Sequence, residues 1–333
     1  MNGSLELEVA DLDSKREIRE VTEFLNSFGL EYEGDLDYTV ILRNGPAMVA
    51  TGSFKGEVLK NFAVNESFQG QGLMASLVTA LTREQTRRGI VHFFVFTDPR
   101  KAFMFSELGF SEIARIEPYV ALLETGLGSI DSWILEAAKE LAHLPPNRAA
   151  LVMNCNPLTK GHEALIRRAA SENKAVIVFL VSEDLSFFSF KDRFFLVKES
   201  LGHLKNVSIL PSGKYMISAA TFPTYFLKKD QGLLAQTKLD LAIFAKKIAP
   251  ALNIVCRYVG QEPSCEITRA YNQAMLDILP SQGIEVKVMP RLAINHQPVS
   301  ASLVREAWKS ADWETVSAMV PPATMAYLQG KTP

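Results

Sequence analysis

Between residues 148 and 170 the chain passes from an unbroken apolar run at 149–153 through the polar turn Asn154, Asn156 and Pro157. It then enters a stretch in which Ala164, Leu165, Ala169 and Ala170 recur at helical spacing. The run predicts a buried parallel strand, and the recurrence predicts a helix beginning near Lys160. A further apolar run at 175–181 predicts a strand, and shorter strands are expected at 207–210, 257–259 and 284–289. Helical spacing predicts helices near 191–201, 239–248, 267–279 and 303–309. Strands alternating with helices predict a doubly wound, mostly parallel α/β sheet whose ligand lies at the carboxyl ends of the strands.

The preceding residues read differently. A helix is expected over 15–28, with Ile18, Val21, Phe24 and Leu25 on one face. Asn44-Gly45 between the apolar runs 38–42 and 47–50 predicts a hairpin. A strand at 58–64 leads through Gln69-Gly70-Gln71-Gly72 into a helix ending near Arg88. Strands at 91–97 and 119–123 flank a short helix at 102–107. Glycines after Thr125 and the Pro145-Pro146 pair mark a boundary. The expected organisation is a domain over 1–125, a linker with a helix over 126–147, and a second domain over 148–333.

A length of 333 residues suits two such domains, and 47% hydrophobic with 22% charged residues is ordinary for a globular protein. A net charge of −2 argues against nucleic-acid binding by phosphate neutralisation. No apolar segment has the length of a membrane span, and the first residues carry no signal-peptide pattern. Three cysteines without a C-x-x-C pair predict a reduced, cytoplasmic protein with no zinc site. Cys155 reads as a small buried filler.

The chemistry gathers at turns. Thr159-Lys160-Gly161-His162 stands where a strand meets a helix N-terminus, whose unpartnered N–H groups and dipole attract an anion. Gly161 admits a phosphate to the backbone, and His162 donates to it as a neutral or charged imidazole. Polar clusters follow other strand ends: Ser182-Glu183-Asp184 with Lys191, Asp192 and Arg193 beyond, then Gly260-Gln261-Glu262-Pro263, then Val299-Ser300-Ala301-Ser302-Leu303-Val304-Arg305. Blander roles stand beside these. Ser300 or Ser302 could simply cap a helix, Arg305 could lie over the core, Asp192 and Arg193 could form a solvated pair, and Lys191 suits a surface. His92, His143, His203 and His296 read as structural.

The Thr159–His162 turn resembles the His-x-Gly-His or Thr-x-Gly-His signature of the nucleotidyltransferase superfamily. Ser300 to Arg305 resembles its second signature, Ile-Ser-Ser-Thr-x-x-Arg, with Ala301 and Ser302 as departures. The order of elements before residue 125, with Gln69-Gly70-Gln71-Gly72 and Phe105-Ser106-Glu107-Leu108-Gly109-Phe110, resembles the GNAT acyltransferase domain. Met74 replaces a small residue of that family's loop. Together with Val181-Ser-Glu-Asp-Leu-Ser-Phe-Phe188, Ile217-Ser-Ala-Ala-Thr-Phe-Pro-Thr-Tyr-Phe226, Val259-Gly-Gln-Glu-Pro263 and Thr268-Arg-Ala-Tyr-Asn-Gln-Ala-Met275, these motifs resemble the citrate lyase ligase family over nearly the whole chain.

That resemblance implies a reaction. ATP, acetate and the thiol form of citrate lyase would give AMP, pyrophosphate and the acetyl thioester, through acetyl-AMP. The thiol would belong to a phosphoribosyl-dephospho-coenzyme A arm on the acyl carrier subunit. The ATP site would comprise Asn154, Asn156, Thr159, Gly161, His162, Gly260, Ser300, Ser302 and Arg305. His162 and Arg305 would be catalytic, with Lys191, Arg193 and Arg269 as further candidates. Mg²⁺ would arrive on the nucleotide's own oxygens, and Gln69, Gly70, Gln71 and Gly72 would hold the pyrophosphate of the arm. Two other readings remain open: a coenzyme-biosynthesis adenylyltransferase, and a GNAT acetyltransferase with a nucleotide-sensing second domain.

Overall fold

A computed structural model of the chain describes residues 5–182, 186–216, 222–228, 231–262, 265–294 and 297–331. Glu183, Asp184, the start of the motif at Ile217, Pro263 and His296 lie outside the described residues.

The first unit contains β1 (Leu5–Val9), α1 (Lys15–Asn26), β2 (Tyr38–Asn44), β3 (Ala47–Lys55) and β4 (Val58–Val64). It continues with α2 (Leu73–Arg87), β5 (His92–Thr97), α3 (Ala102–Ser106), β6 (Ser111–Ile116) and β7 (Val120–Gly126). The sheet order is β1-β2-β3-β4-β5-β7-β6. All pairs are antiparallel except β4–β5, which meet in parallel only at Val58↔Phe94 and Leu59↔Val95. Leu77 and Leu81 of α2 pack on Phe54, Leu59, Val95 and Leu123 of the sheet. Gly45 at φ +61° makes the hairpin turn that its sequence predicted. Two strands were not predicted: β1 is exposed along its whole length, and β6 has a single buried residue, Ile113. Edge strands of that kind leave little hydropathy signal.

The second unit is built on β8 (Arg148–Met153), α5 (Lys160–Glu172), β9 (Val176–Leu180), α6 (Phe190–Leu201) and β10 (Val207–Pro211). The chain then runs through α7 (Gly232–Ile243), whose residues up to Leu239 group with the first unit, a π-helical turn (Phe244–Ile248) and the short α8 (Ala249–Ala251) into β11 (Ile254–Gly260), on the other side of β8. Then follow α9 (Glu266–Ile278), β12 (Glu285–Met289), the small β13 (Ala293–Ile294) and β14 (Gln297–Pro298), α10 (Ala301–Lys309), α11 (Trp313–Met319) and α12 (Pro322–Gln329). The five-stranded sheet has the order β10-β9-β8-β11-β12 and is parallel throughout. β9 is buried on both faces, as a central strand between helical layers must be. The doubly wound architecture expected from the sequence is present.

The division of the chain differs from the expected one. Residues Met1–Ile130 and Thr221–Leu239 form one unit, Asp131–Ala220 and Asp240–Pro333 the other. Tyr225 is buried with Leu25, Leu30 and Ile41 of the first unit, and Glu33 Oε1 accepts the backbone N–H of both Thr224 and Tyr225. The segment expected as a linker is not separate. The buried Arg148 guanidinium donates to the carbonyls of Leu141 (3.0 Å), Leu144 (2.8 Å) and Pro145 (3.0 Å), fastening it to β8.

A candidate nucleotide site at the switch point

Because β9 and β11 lie on opposite sides of β8, the carboxyl ends of β8 and β11 open a crevice at the point where the winding reverses. A cavity of about 650 Å³ occupies it, within the range of small-molecule sites. Its walls come from the ends of β8 and β11, the first turns of α5 and α10, and the loop after β12. Two helix N-termini therefore serve one cavity, each with backbone donors that the helix itself cannot use.

Thr159 is the buried N-cap of α5. Its Oγ1 accepts the His162 N–H at 3.4 Å, and its own N–H donates to His162 Nδ1 at 3.1 Å. This reciprocal pair is a capping box with histidine in the place usually held by Glu or Gln. A backbone N–H can only donate, so Nδ1 holds the lone pair and the proton sits on Nε2. His162 is half-buried in the cavity wall. That burial, and then the charge of Arg291, lower the imidazole from 6.5 to about 4. The ring is thus neutral at ordinary pH, with Nε2–H as its remaining donor.

A Cβ placed on Gly161 would stand 3.5 Å from Val299 Cγ1 and 3.6 Å from Thr159 Oγ1, in ordinary contact. Ser300 caps α10, its Oγ accepting the Ser302 N–H at 3.2 Å. Arg305 Nη2 donates to Ser302 Oγ at 3.0 Å, and Nη1 donates to the Asn156 carbonyl. Arg305 thereby ties α10 to the turn after β8. Burial lowers its pKa, yet a guanidinium stays charged. Asn154 Oδ1 accepts from Arg193 Nη1 at 2.8 Å and from Ser186 Oγ at 3.1 Å. Since arginine cannot accept, the other end of this cavity-lining amide is its NH₂ donor.

Of the expected ATP residues, Asn154, Thr159, Gly161, His162, Gly260, Ser300 and Ser302 line the cavity. Asn156 and Arg305 stand behind it: Asn156 Oδ1 accepts the Phe188 N–H at 3.0 Å. The three further candidates do not line the cavity. Lys191 and Arg269 are exposed and line no part of the cavity. Arg193 is neither a ligand nor half of a solvated pair. It is fully buried and donates to the carbonyls of Phe188 (3.1 Å), Asn154 (2.8 Å) and Val181 (2.9 Å). Cys155 is buried and its thiol is pushed up to about 12 by burial, which disfavours the thiolate and suits a structural filler. Sequence reasoning passed over Arg291, and it noted Glu262 and Thr268 within motifs without giving them a role; all three also line the cavity. Their one signal was position, after a strand's carboxyl end or in the first turn of the next helix.

In the first unit Gln69, Gly70, Gln71 and Gly72 are all exposed. Gly70 and Gly72 have φ of +75° and +77°, where side chains are strained, and Gly72 caps α2 with no side-chain bond to its first amides. Met74 turns inward and packs on the core.

Among the described residues, no group of three or more His, Cys, Asp or Glu is placed to hold a metal ion, and no helix is long and apolar enough to cross a membrane.

A parallel sheet of this winding, with capped helix N-termini at its switch point, defines the second unit as nucleotidyltransferase-like. Residues 148–328 match the family model for the citrate lyase ligase C-terminal domain. The chain is 38% identical to the citrate (pro-3S)-lyase ligase of Klebsiella pneumoniae, over 92% of this chain and 91% of that protein. It is 33% identical to the Haemophilus influenzae ligase of the same name, over 92% and 93%. The ribosomal-protein-S18-alanine N-acetyltransferase structure from Escherichia coli covers 38% of this chain and 96% of its own, at 14% identity and a TM-score of 0.32. The chain belongs to the citrate lyase ligase family.

Proposed function

We propose that this chain activates acetate with ATP and delivers the acetyl group to the thiol of citrate lyase's acyl carrier subunit, on its phosphoribosyl-dephospho-coenzyme A arm. The reaction is an AMP-forming acid–thiol ligation. Membership of the ligase family over most of the chain favours it over the adenylyltransferase and the acetyltransferase readings. The observation that carries the mechanism is the convergence of two helix N-termini and the fixed Nε2–H of His162 on one cavity.

Acetate oxygen attacks the α-phosphorus, the bond to the bridging oxygen breaks, and pyrophosphate leaves. His162 and the amides around Gly161 stabilise charge growing on the α-phosphate, with Thr159 holding the ring. Ser300, Ser302 and the α10 amides receive the outer phosphates, backed by the charge of Arg305. Asn154 NH₂ orients acetate or the phosphate, and Gly260 borders the nucleoside. The thiolate then attacks the acyl carbon of acetyl-AMP, giving the thioester and AMP. Mg²⁺ would come with the nucleotide rather than from protein carboxylates, and would supply charge to offset that of the phosphates. The uncapped amides after Gly72 give the coenzyme-like arm a pyrophosphate site. The setting is a reducing cytoplasm, in keeping with three free cysteines.

The deciding experiment is acetate-dependent exchange of labelled pyrophosphate into ATP. The parent protein exchanges, and His162→Ala loses roughly 100-fold or more, the scale of one oxyanion donor. Exchange that ignores acetate and requires a phosphorylated acceptor would instead establish an adenylyltransferase. Acetyl transfer from acetyl-CoA without ATP would establish the third reading.

A further inference from the structure

A triphosphate brings about four negative charges into a cavity whose positive charge is scarce. Two arginines line it, Arg168 and Arg291. Arg168 is paired with Glu172 along α5, on an exposed face. Lys160, at the mouth of α5, turns its ammonium to the carbonyls of Ser317 and Ala318. Arg291 differs from both. It stands just past the carboxyl end of β12, the edge strand beside β11, and its charge is felt at the His162 ring. Its described hydrogen bond is Nη2 to Glu262 Oε2 at 2.5 Å, so among the described residues most of its N–H donors are uncommitted.

Glu262 is the more buried partner. Its side chain is 11% exposed against 31% for Arg291. Its Oε1 accepts the Cys265 N–H at 3.3 Å, at the N-terminus of α9. The loops that carry the pair are joined by Gln261 N–H donating to the Met289 carbonyl at 2.8 Å. The carboxylate is anchored at a helix start, while the guanidinium beside it sits on a longer, more exposed stem within the cavity wall.

We propose that Arg291 is a second phosphate-binding cation of the ATP site, held by Glu262 until a polyphosphate takes the guanidinium over. This rests on the reading that ATP occupies the cavity. In the filled site Arg291 donates to a phosphate oxygen near His162, where charge develops as pyrophosphate leaves. Glu262 then keeps its bond to α9 and competes with phosphate for the arginine. The pair sets how tightly polyphosphate is held.

Opposite effects of the two partners test this. Binding of ATP and of inorganic pyrophosphate is measured by calorimetry on the full-length protein for the parent, Arg291→Gln, Arg291→Lys and Glu262→Gln, with adenosine as the phosphate-free control. Arg291→Gln should weaken ATP and pyrophosphate roughly 10- to 100-fold, the scale of a charge-assisted hydrogen bond, and leave adenosine unchanged. Arg291→Lys should recover part of the loss, and Glu262→Gln should bind pyrophosphate more tightly than the parent. A merely structural pair would suffer alike from Arg291→Gln and Glu262→Gln, with adenosine affected too, and that result would overturn the proposal. So would ATP bound equally well by Arg291→Gln. A parent that binds no ATP would sink the proposed function itself, a different outcome.

Discussion

At the scale of single residues, one backbone N–H decides what His162 can do. Thr159→Ala removes the hydroxyl cap but keeps the N–H that fills Nδ1. It should cost about 1 kcal/mol in urea denaturation, while pyrophosphate exchange falls far less than in His162→Ala. Titration offers a second check. The His162 pKa is lowered from 6.5 to about 4, so between those values the unfolded chain takes up a proton that the folded chain refuses. Its contribution is complete above pH 6.5 and lost as pH falls towards about 4. His162→Asn should flatten that section of the stability–pH curve, and an unchanged curve would contradict a buried neutral ring. Gly161 separates stability from binding. Gly161→Ala has room beside Val299 and should raise stability by up to about 1 kcal/mol, yet weaken ATP by placing a methyl group where phosphate approaches. Unchanged ATP affinity would show that phosphate lies elsewhere. Thr159 and His162 were legible in the sequence because they share one short turn between an apolar strand and a helix start; the capping box that joins them was not read there. Arg291 was not, since its partner Glu262 lies on another loop and no local spacing links them.

At the scale of elements, the turn after β8 is held in place from behind. Arg193 of α6 takes up the Asn154, Val181 and Phe188 carbonyls, and Arg305 of α10 takes up that of Asn156. Arg193→Met should cost about 3 kcal/mol by stranding those buried acceptors, and should lower exchange by loosening Asn154. Lys191→Ala and Arg269→Ala, both on exposed surface, should stay within about 0.5 kcal/mol of the parent. Melting and exchange measured on the three variants would check this; equal behaviour would refute the supporting role of Arg193. The pattern of apolar positions disclosed all five strands of the second sheet, because even β11 and β12, which carry Arg257, Glu285 and Lys287, keep apolar residues beside them in short segments between helices. It could not disclose Arg193, because the helical spacing that places it in α6 gives a charged residue no reason to point inward. That reason is three carbonyls supplied by other segments. β1 and β6 were missed for the converse reason, as strands held by backbone pairing with few apolar side chains.

At the scale of the whole molecule, two units with different sheets share one chain. Length and the alternation of strand with helix made both visible. The membership of Thr221–Leu239 in the first unit was not, because it depends on Glu33 and the pocket around Tyr225, far away in sequence. If the first unit receives the coenzyme-like arm, Gly72→Val should raise the KM for the carrier several-fold and leave acetate-dependent exchange as it was. Loss of exchange in that variant would count against a separate docking role. The capping of α5 also reaches the second half of the reaction. An imidazole whose only lone pair is already spent on the main chain cannot collect the proton shed by an incoming sulfhydryl. If the coenzyme-like arm reaches this cavity, its proton must leave by another route, and acetyl delivery should quicken with alkalinity up to the sulfhydryl's own ionisation, whatever becomes of the histidine.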